Sequence, residues 1–109
     1  MSESWTATSE VAVAVLKRAV HPGEILSEEL QEWGVSVHEL ARQMSVPAGR
    51  VGQIIAGNRS VTADTASRLG HWFGVDAQFW MNLQSQYDLA LAERSIGADL
   101  QKLPSAAQV

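Results

Sequence analysis

Apolar residues recur at helical spacing from His21 onward, and capping residues, prolines and glycines interrupt them at regular intervals. The first segment follows Pro22-Gly23 and ends at Gly34, where a left-handed turn would let Val35 fold back onto Leu30. Glutamates occupy one face of this segment, and the other face carries Ile25, Leu26, Leu30 and Trp33. The pattern predicts an amphipathic first helix.

Two short helices are predicted next, separated by a tight break. Ser36 and Glu39 have the spacing of a capping box, so the second helix begins at Val37. It ends before Pro47, because proline disfavours helical conformation in the residue before it and is itself favourable in the first turn of a new helix. Gly57-Asn58 then ends the third helix in a left-handed turn.

The remaining pattern predicts two longer helices. Thr62 caps a fourth helix that ends at Gly74, and Asp76 caps a fifth that frays toward Ile96-Gly97. The fifth helix carries a stripe at a spacing of about four, formed by Trp80, Leu83, Tyr87 and Leu91. The sequence therefore predicts an all-α fold of five helices.

The two ends of the chain lack this pattern. Residues 1–20 contain the apolar run 11–16 with neither glycine nor proline, which favours a flexible arm or a strand that pairs with the edge of another chain. Residues 97–109 have few large apolar side chains and are predicted to be loose. The expected organisation is an N-terminal arm at 1–20, one domain at 21–96 and a C-terminal tail at 97–109.

Composition argues against several classes of protein. The 109 residues include no cysteine, which excludes disulfides, cysteine-based zinc sites and a thiol nucleophile. The apolar run 11–16 is too short to cross a bilayer, and its flanking charges are reversed for a signal peptide. We therefore expect a soluble, cytoplasmic protein with no membrane partner.

The histidines do not indicate a metal site, and no set of residues indicates catalysis. His38-Glu39 begins like a zinc-protease HExxH motif, but Arg42 stands where the second histidine is needed. His21 and His71 are too scattered in the helix pattern to join a cluster. We expect no metal, no cofactor and no enzymatic activity.

The distribution of charge is more informative than the net charge of −4. Between residues 36 and 74 four arginines stand against Glu39 and Asp64, whereas the rest of the chain has four basic and ten acidic residues. The middle of the chain, with a balance of +2, is compatible with a polyanion. The acidic flanks are compatible with a basic partner protein.

The second and third helices have the proportions of a helix-turn-helix, with the small Ala41 at their crossing and Val46 and Val51 packed beneath. The stretches 39–51 and 54–59 resemble the Xre or phage-repressor superfamily. Two flanking blocks narrow the resemblance, 21–26 before the motif and 61–66 with 79–84 after it. Together, over roughly residues 21–94, they resemble the HigA antitoxins.

The resemblance implies a lambda-repressor-like domain that binds palindromic operator DNA as a homodimer and represses its own operon. It also implies a partner toxin of HigB type, a ribosome-dependent mRNA endonuclease. Two alternatives remain open, which are an orphan regulator without a toxin and a protein-interaction adaptor that does not bind DNA.

The resemblance also assigns the candidate DNA-binding residues. The groove-facing start of the third helix is Ala48, Gly49, Arg50 and Gln53, and phosphate contacts fall to Ser36, Asn58 and Arg59. Arginine suits a guanine edge and glutamine an adenine edge, so Arg50 and Gln53 are the predicted base readers. Both could instead be solvated, and Asn58 also suits a turn.

Two glycines bear on this assignment of DNA contacts to the third helix. Gly49 and Gly52 lie inside the third helix, where each costs about 1 kcal/mol relative to alanine, so either shape and phosphate contacts carry specificity or the helix backbone approaches the DNA closely. The aromatic cluster of Trp72, Phe73, Phe79 and Trp80 is predicted to be core, because its residues have helical spacing.

The stripe on the fifth helix is the predicted dimer interface, because nothing left in the chain would cover it; it consists of Trp80, Leu83, Tyr87 and Leu91.

Overall fold

The computed structural model describes residues 19–108 and is all-helical over that range. The helices are α1 (Pro22–Trp33), α2 (Val37–Met44), α3 (Ala48–Ile55), α4 (Ala63–Phe73) and α5 (Ala77–Gln101), followed by a short 3₁₀ turn (Ala106–Gln108). This confirms the prediction of an all-α, five-helix domain. The predicted arm lies outside the described residues except for its last two, Ala19 and Val20, which are buried.

Side-chain caps start four of the five helices, as expected for polar residues at these positions. Ser36, Thr62 and Asp76 accept hydrogen bonds from amides in the first turns of α2, α4 and α5. The capping box predicted at Ser36 is only half formed, because the Glu39 carboxylate turns to Arg42 and Gln43 instead of the Ser36 amide.

The complete capping box lies at the start of α1. His21 Nδ1 accepts from the Gly23 amide at 2.9 Å, and the Glu24 carboxylate accepts from the His21 amide at 3.3 Å. At the other end of α1, Gly34 has φ +67° and the Val35 amide donates to the Leu30 carbonyl at 3.0 Å. The predicted left-handed ending of α1 is therefore confirmed.

One hydrophobic core joins all five helices. Its fully buried large side chains include Leu26, Leu40, Ile54, Leu69 and Trp80. The N-terminus of α1 packs closely on the end of α3, since a β-carbon at Gly23 would lie 1.9 Å from the Ile54 carbonyl oxygen. Only glycine fits at this crossing, and the contact fixes α3 on the body of the domain.

Helix α5 departs from the prediction in two ways. It continues through Gly97 to Gln101, so the tail that was expected to be loose from residue 97 is helical in its first part. Its buried residues, Trp80, Leu83 and Gln84, all lie near its N-terminus. In the described part of the chain, no helix is both long and apolar enough to cross a membrane.

Burial corrects half of the predicted dimer interface. Trp80 and Leu83 are only 1% and 7% exposed, so they belong to the core of one chain and have almost no surface to offer a partner. Tyr87 is half-buried and packs edge-on against His21, whereas Leu91 is 41% exposed. The correction arises because the stripe on α5 that has helical spacing is the side that faces the chain's own core.

Candidate nucleic-acid interface

Helices α2 and α3 form the predicted helix-turn-helix. The turn between them places Ser45 in the left-handed region at φ +57°, and the Val46 amide donates to the Ala41 carbonyl at 3.0 Å. Ala41 and Val51 are each 1% exposed, and Val46 packs against the core. The small residue at the crossing and the two valines beneath it lie where the sequence predicted them.

Helix α3 presents its first turns to solvent. Gly49 and Gln53 are exposed and one helical turn apart, whereas Ala48 and Arg50 are half-buried. A β-carbon at Gly49 or Gly52 would meet no other atom within 4 Å. No packing among residues 19–108 therefore requires glycine at these two positions.

The segment after α3 lies next to this exposed face. Gly57 has φ +81°, and the Asn58 amide donates to the Gln53 carbonyl at 2.9 Å. Arg59 Nη1 donates to Gln53 Oε1 at 3.3 Å. The structure thus brings together a predicted base reader and two predicted phosphate-binding residues.

Ser36 lies apart from that group, at the start of α2. Its Oγ accepts from the Glu39 amide at 3.1 Å, and the side chain is exposed. The hydroxyl hydrogen can therefore still be donated outward to a phosphate oxygen, beside the first amides of α2.

The arginines of the helix-turn-helix region fall into two classes. Arg42 forms an ion pair with Glu39, and Arg68 pairs with Asp64 while donating to the Met44 carbonyl at 2.7 Å. Among residues 19–108, Arg50 and Arg59 make no ion pair, and Arg50 Nε is buried without a hydrogen-bond partner. The surplus positive charge of this region therefore resides in Arg50 and Arg59.

The pKa values of the paired carboxyls reflect the same division. Hydrogen bonds from Arg42 and Gln43 lower the pKa of Glu39 to about 2. The hydrogen bond from Arg68 lowers the pKa of Asp64, and the more distant charge of Arg50 contributes in the same direction. Both carboxylates stay ionised at neutral pH and remain bound to their own arginines.

Other surface features of the described residues offer less to a ligand. A cleft of about 510 Å³ lies between α2 and α4, but its polar groups are largely satisfied by one another, as when Trp72 Nε1 donates to Gln43 Oε1 at 2.6 Å. Within residues 19–108, no three histidine or carboxylate side chains come together to hold a metal ion.

Two residues near the interface were given no role by the sequence. Gln84 is 5% exposed, and its Oε1 accepts from the Val61 amide at 2.7 Å, at the end of the segment that follows α3. His21 is 7% exposed and lies beside the start of that segment. A signal for Gln84 was present, because it is a polar residue one turn after Trp80 on the inward side of α5.

Comparisons with known proteins agree on one family, although no family model matches the chain. A HigA-family antidote protein from Coxiella burnetii is 44% identical with a TM-score of 0.79, over 81% of this chain and 97% of its own. The chain belongs to the HigA family of antitoxins. A solved Pseudomonas aeruginosa HigA with the higBA promoter is also 44% identical, with a TM-score of 0.78, over 82% of this chain and 98% of its own.

A curated protein is also similar to this HigA-family chain. Virulence-associated protein I of Dichelobacter nodosus is 51% identical over 77 residues, which cover 70% of this chain and 71% of the relative. The resemblance inferred from three sequence blocks is thereby confirmed. The chain is a helix-turn-helix protein of an antitoxin family and not an enzyme.

Proposed function

We propose that this HigA-family protein binds operator DNA through α2 and α3, represses its own operon, and neutralises a HigB-type toxin. The observation that carries the DNA-binding part is the pair Arg50 and Arg59, which lack carboxylate partners among the described residues and lie on either side of the exposed Gln53. The relative with its promoter DNA supports the same assignment. Its site of action would be the cytoplasm, where the operon lies.

Base reading is assigned to Arg50 and Gln53. Arg50 is half-buried and forms no ion pair within residues 19–108, so its guanidinium would be available to the edge of a guanine. Gln53 uses its Oε1 to hold Arg59 and would exchange that contact for an adenine edge. Ala48 and Gly49 would let the start of α3 approach the groove closely, without contributing donors of their own.

Phosphate binding is assigned to Ser36, Asn58 and Arg59. Asn58 and Arg59 are exposed on the segment that continues from the base-reading face, and Ser36 offers a hydroxyl beside the amides of α2. Contacts of this kind fix the register of a protein on DNA without reading its sequence. They also make the affinity sensitive to salt.

We place the homodimer surface on the second half of α5. This part of the helix has no buried residue, and an unsupported helix of such length is marginal in water. Leu91 remains from the predicted stripe, and an opposite face carries Leu89, Ile96 and Leu100, which are 69%, 43% and 46% exposed. A second copy of the chain that packs on the face with Leu89, Ile96 and Leu100 would cover those side chains and align two helix-turn-helix units on a palindrome.

The last part of the proposal is the binding of a toxin. Family membership supports it, and so does the charge of α1, where Glu28, Glu29 and Glu32 form no ion pair within residues 19–108. A small basic protein would suit that face. A neighbouring reading frame for such a protein would favour the antitoxin over an orphan regulator.

Titration of the duplex upstream of the gene against salt, beside an unrelated duplex, tests the DNA-binding part. We expect Arg50→Ala with Gln53→Ala to lose the preference for the upstream duplex, because two base contacts worth about 1–3 kcal/mol each disappear. Arg59→Ala should weaken binding to both duplexes and reduce the slope of log affinity against log salt by about 1.

Arg42→Ala is the matched control, since it also removes one arginine, but one that is already in an ion pair with Glu39. It should leave the preference and the slope close to those of the unaltered protein. If the double variant binds the upstream duplex normally, the site assignment is wrong. Equal binding of the unaltered protein to both duplexes would favour the adaptor alternative.

A further inference from the structure

We call residues 57–61, the segment that follows α3, the operator loop; a buried polar side chain binds its end and another borders its start. At its end, Gln84 Oε1 accepts from the Val61 amide at 2.7 Å, while Gln84 Nε2 donates to Asp88 Oδ1 at 2.9 Å. Val61 is 2% exposed and Gln84 5% exposed. A buried amide that loses its acceptor costs about 1–3 kcal/mol, so this contact ties the loop firmly to α5.

The start of the operator loop is bordered by His21. The His21 ring lies 4.0 Å from the position that a β-carbon would take at Gly57. The same ring packs edge-on against Tyr87, with 4.8 Å between ring centroids. Tyr87 and Gln84 are neighbours on α5, three residues apart. The end of the operator loop and the His21 ring that borders its start therefore contact one patch of that helix.

We propose that Gln84 is a positioning residue for operator binding. It holds the operator loop so that Asn58 and Arg59 meet the DNA backbone, and it makes the placement of those residues depend on α5. Because α5 also carries the proposed dimer surface, the same helix would set the spacing of the two loops on the DNA. This inference rests on the proposed function, since it needs the loop to contact DNA.

The test replaces Gln84 by methionine, which has a similar length but neither amide group. The matched control is Gln86→Met, because Gln86 is half-buried on the same helix and makes no side-chain hydrogen bond within residues 19–108. Each variant is titrated with the upstream duplex at a temperature where circular dichroism shows it folded. We expect Gln84→Met to bind about tenfold more weakly, or ~1.4 kcal/mol, with a salt slope reduced by about 1.

A double-mutant cycle with Arg59→Ala separates positioning from a general loss of stability. If Gln84 acts through the loop, Gln84→Met should have much less effect on affinity once Arg59 is gone. A rescue variant, Gln84→Glu with Asp88→Asn, keeps an acceptor for the Val61 amide and reverses the side-chain hydrogen bond. It should bind the operator nearly as well as the unaltered protein.

Three results would overturn the inference. A folded Gln84→Met protein with unchanged affinity and salt slope would show that the loop needs no such support. Additive losses in the cycle would reduce Gln84 to a structural residue. If Gln84→Met does not fold, Gln84→Asn takes its place, because its shorter side chain keeps the amide but does not reach Val61, and unchanged binding would again exclude the proposal. Failure of the unaltered protein to prefer the upstream duplex would instead contradict the proposed function, and this inference with it.

Discussion

His21 takes part in several contacts that join α1, α5 and the loop after α3. It caps α1 through Nδ1, packs against Tyr87 and borders Gly57, and these contacts leave it only 7% exposed. Burial lowers its pKa, while the carboxylates of Asp88 and Glu24 and the backbone of Arg59 act in the opposite direction. The first effect dominates, so the folded protein favours the neutral imidazole that the capping role requires.

A pH dependence of stability follows from His21. Because its pKa is lower in the folded than in the unfolded state, the unfolded chain binds more protons below the unfolded value of about 6.5. The contribution is complete above that pH and is lost as pH falls through the lowered folded value. We expect the free energy of unfolding, measured by urea denaturation, to decrease as pH is lowered from about 7.5 to about 5.

His21→Asn keeps an acceptor for the Gly23 amide but does not titrate, so this variant should show a shallower pH dependence. The same substitution at the exposed His71 controls for the loss of an imidazole elsewhere. An unchanged pH dependence in His21→Asn would exclude His21 as the cause.

At the scale of the element, two glycines lower the stability of α3, and no contact within residues 19–108 requires them. It is eight residues long, has no side-chain cap at Pro47 and contains two glycines whose β-carbon positions are open. A helix of this composition is held mainly by its buried side, through Val51 and Ile54. The open glycines are explained if the exposed side of α3 approaches DNA closely.

Alanine at Gly49 and Gly52 should therefore have opposite effects on folding and on binding. Each substitution should stabilise the protein by up to about 1 kcal/mol in thermal or urea unfolding, because glycine is the poorer helix former. The same methyl groups should weaken operator binding if the exposed side of α3, which carries Gln53, faces the groove as proposed.

Gly97→Ala in α5 is the control for these glycines. Its β-carbon would make only ordinary contact with Glu93, at 3.5 Å, so it should add stability and leave operator affinity unchanged. If Gly49→Ala and Gly52→Ala stabilise the protein without weakening binding, the close approach of α3 is excluded.

At the scale of the whole molecule, the two halves of α5 differ in burial. Its first turns complete the core through Trp80 and Leu83, whereas apolar side chains on its second half remain exposed. A dimer through this half would explain both the length of the helix and its exposed leucines.

Leu89→Asp with Leu100→Asp should yield monomers by light scattering and weaken operator binding, because two linked half-sites become one. Ser95→Asp, which adds one aspartate at an exposed position of α5 outside the Leu89 and Leu100 face, should leave the dimer intact. A doubly substituted protein that retains the dimer mass would exclude this surface. Neither leucine contributes to the core, so the fold should survive.

Local signals in the sequence determined the elements and the position of the site. Caps at Ser36, Thr62 and Asp76 and left-handed glycines act within one turn of chain, so they predict helix boundaries without knowledge of the fold. Family resemblance located the candidate residues on α2, α3 and the loop after them. The same local view misses the end of α5, because it predicts fraying toward Ile96-Gly97 although the helix tolerates this glycine and continues to Gln101.

Tertiary structure decided which side chains were already occupied. The sequence shows four arginines between residues 36 and 74, but only packing reveals that Arg42 and Arg68 are in ion pairs, whereas Arg50 and Arg59 form none within residues 19–108. It also assigned Trp80 and Leu83 to the core and joined Gln84 to Val61, 23 residues away. These contacts are non-local, so spacing along the chain, which predicts what lies on one face of a helix, does not predict what that face meets.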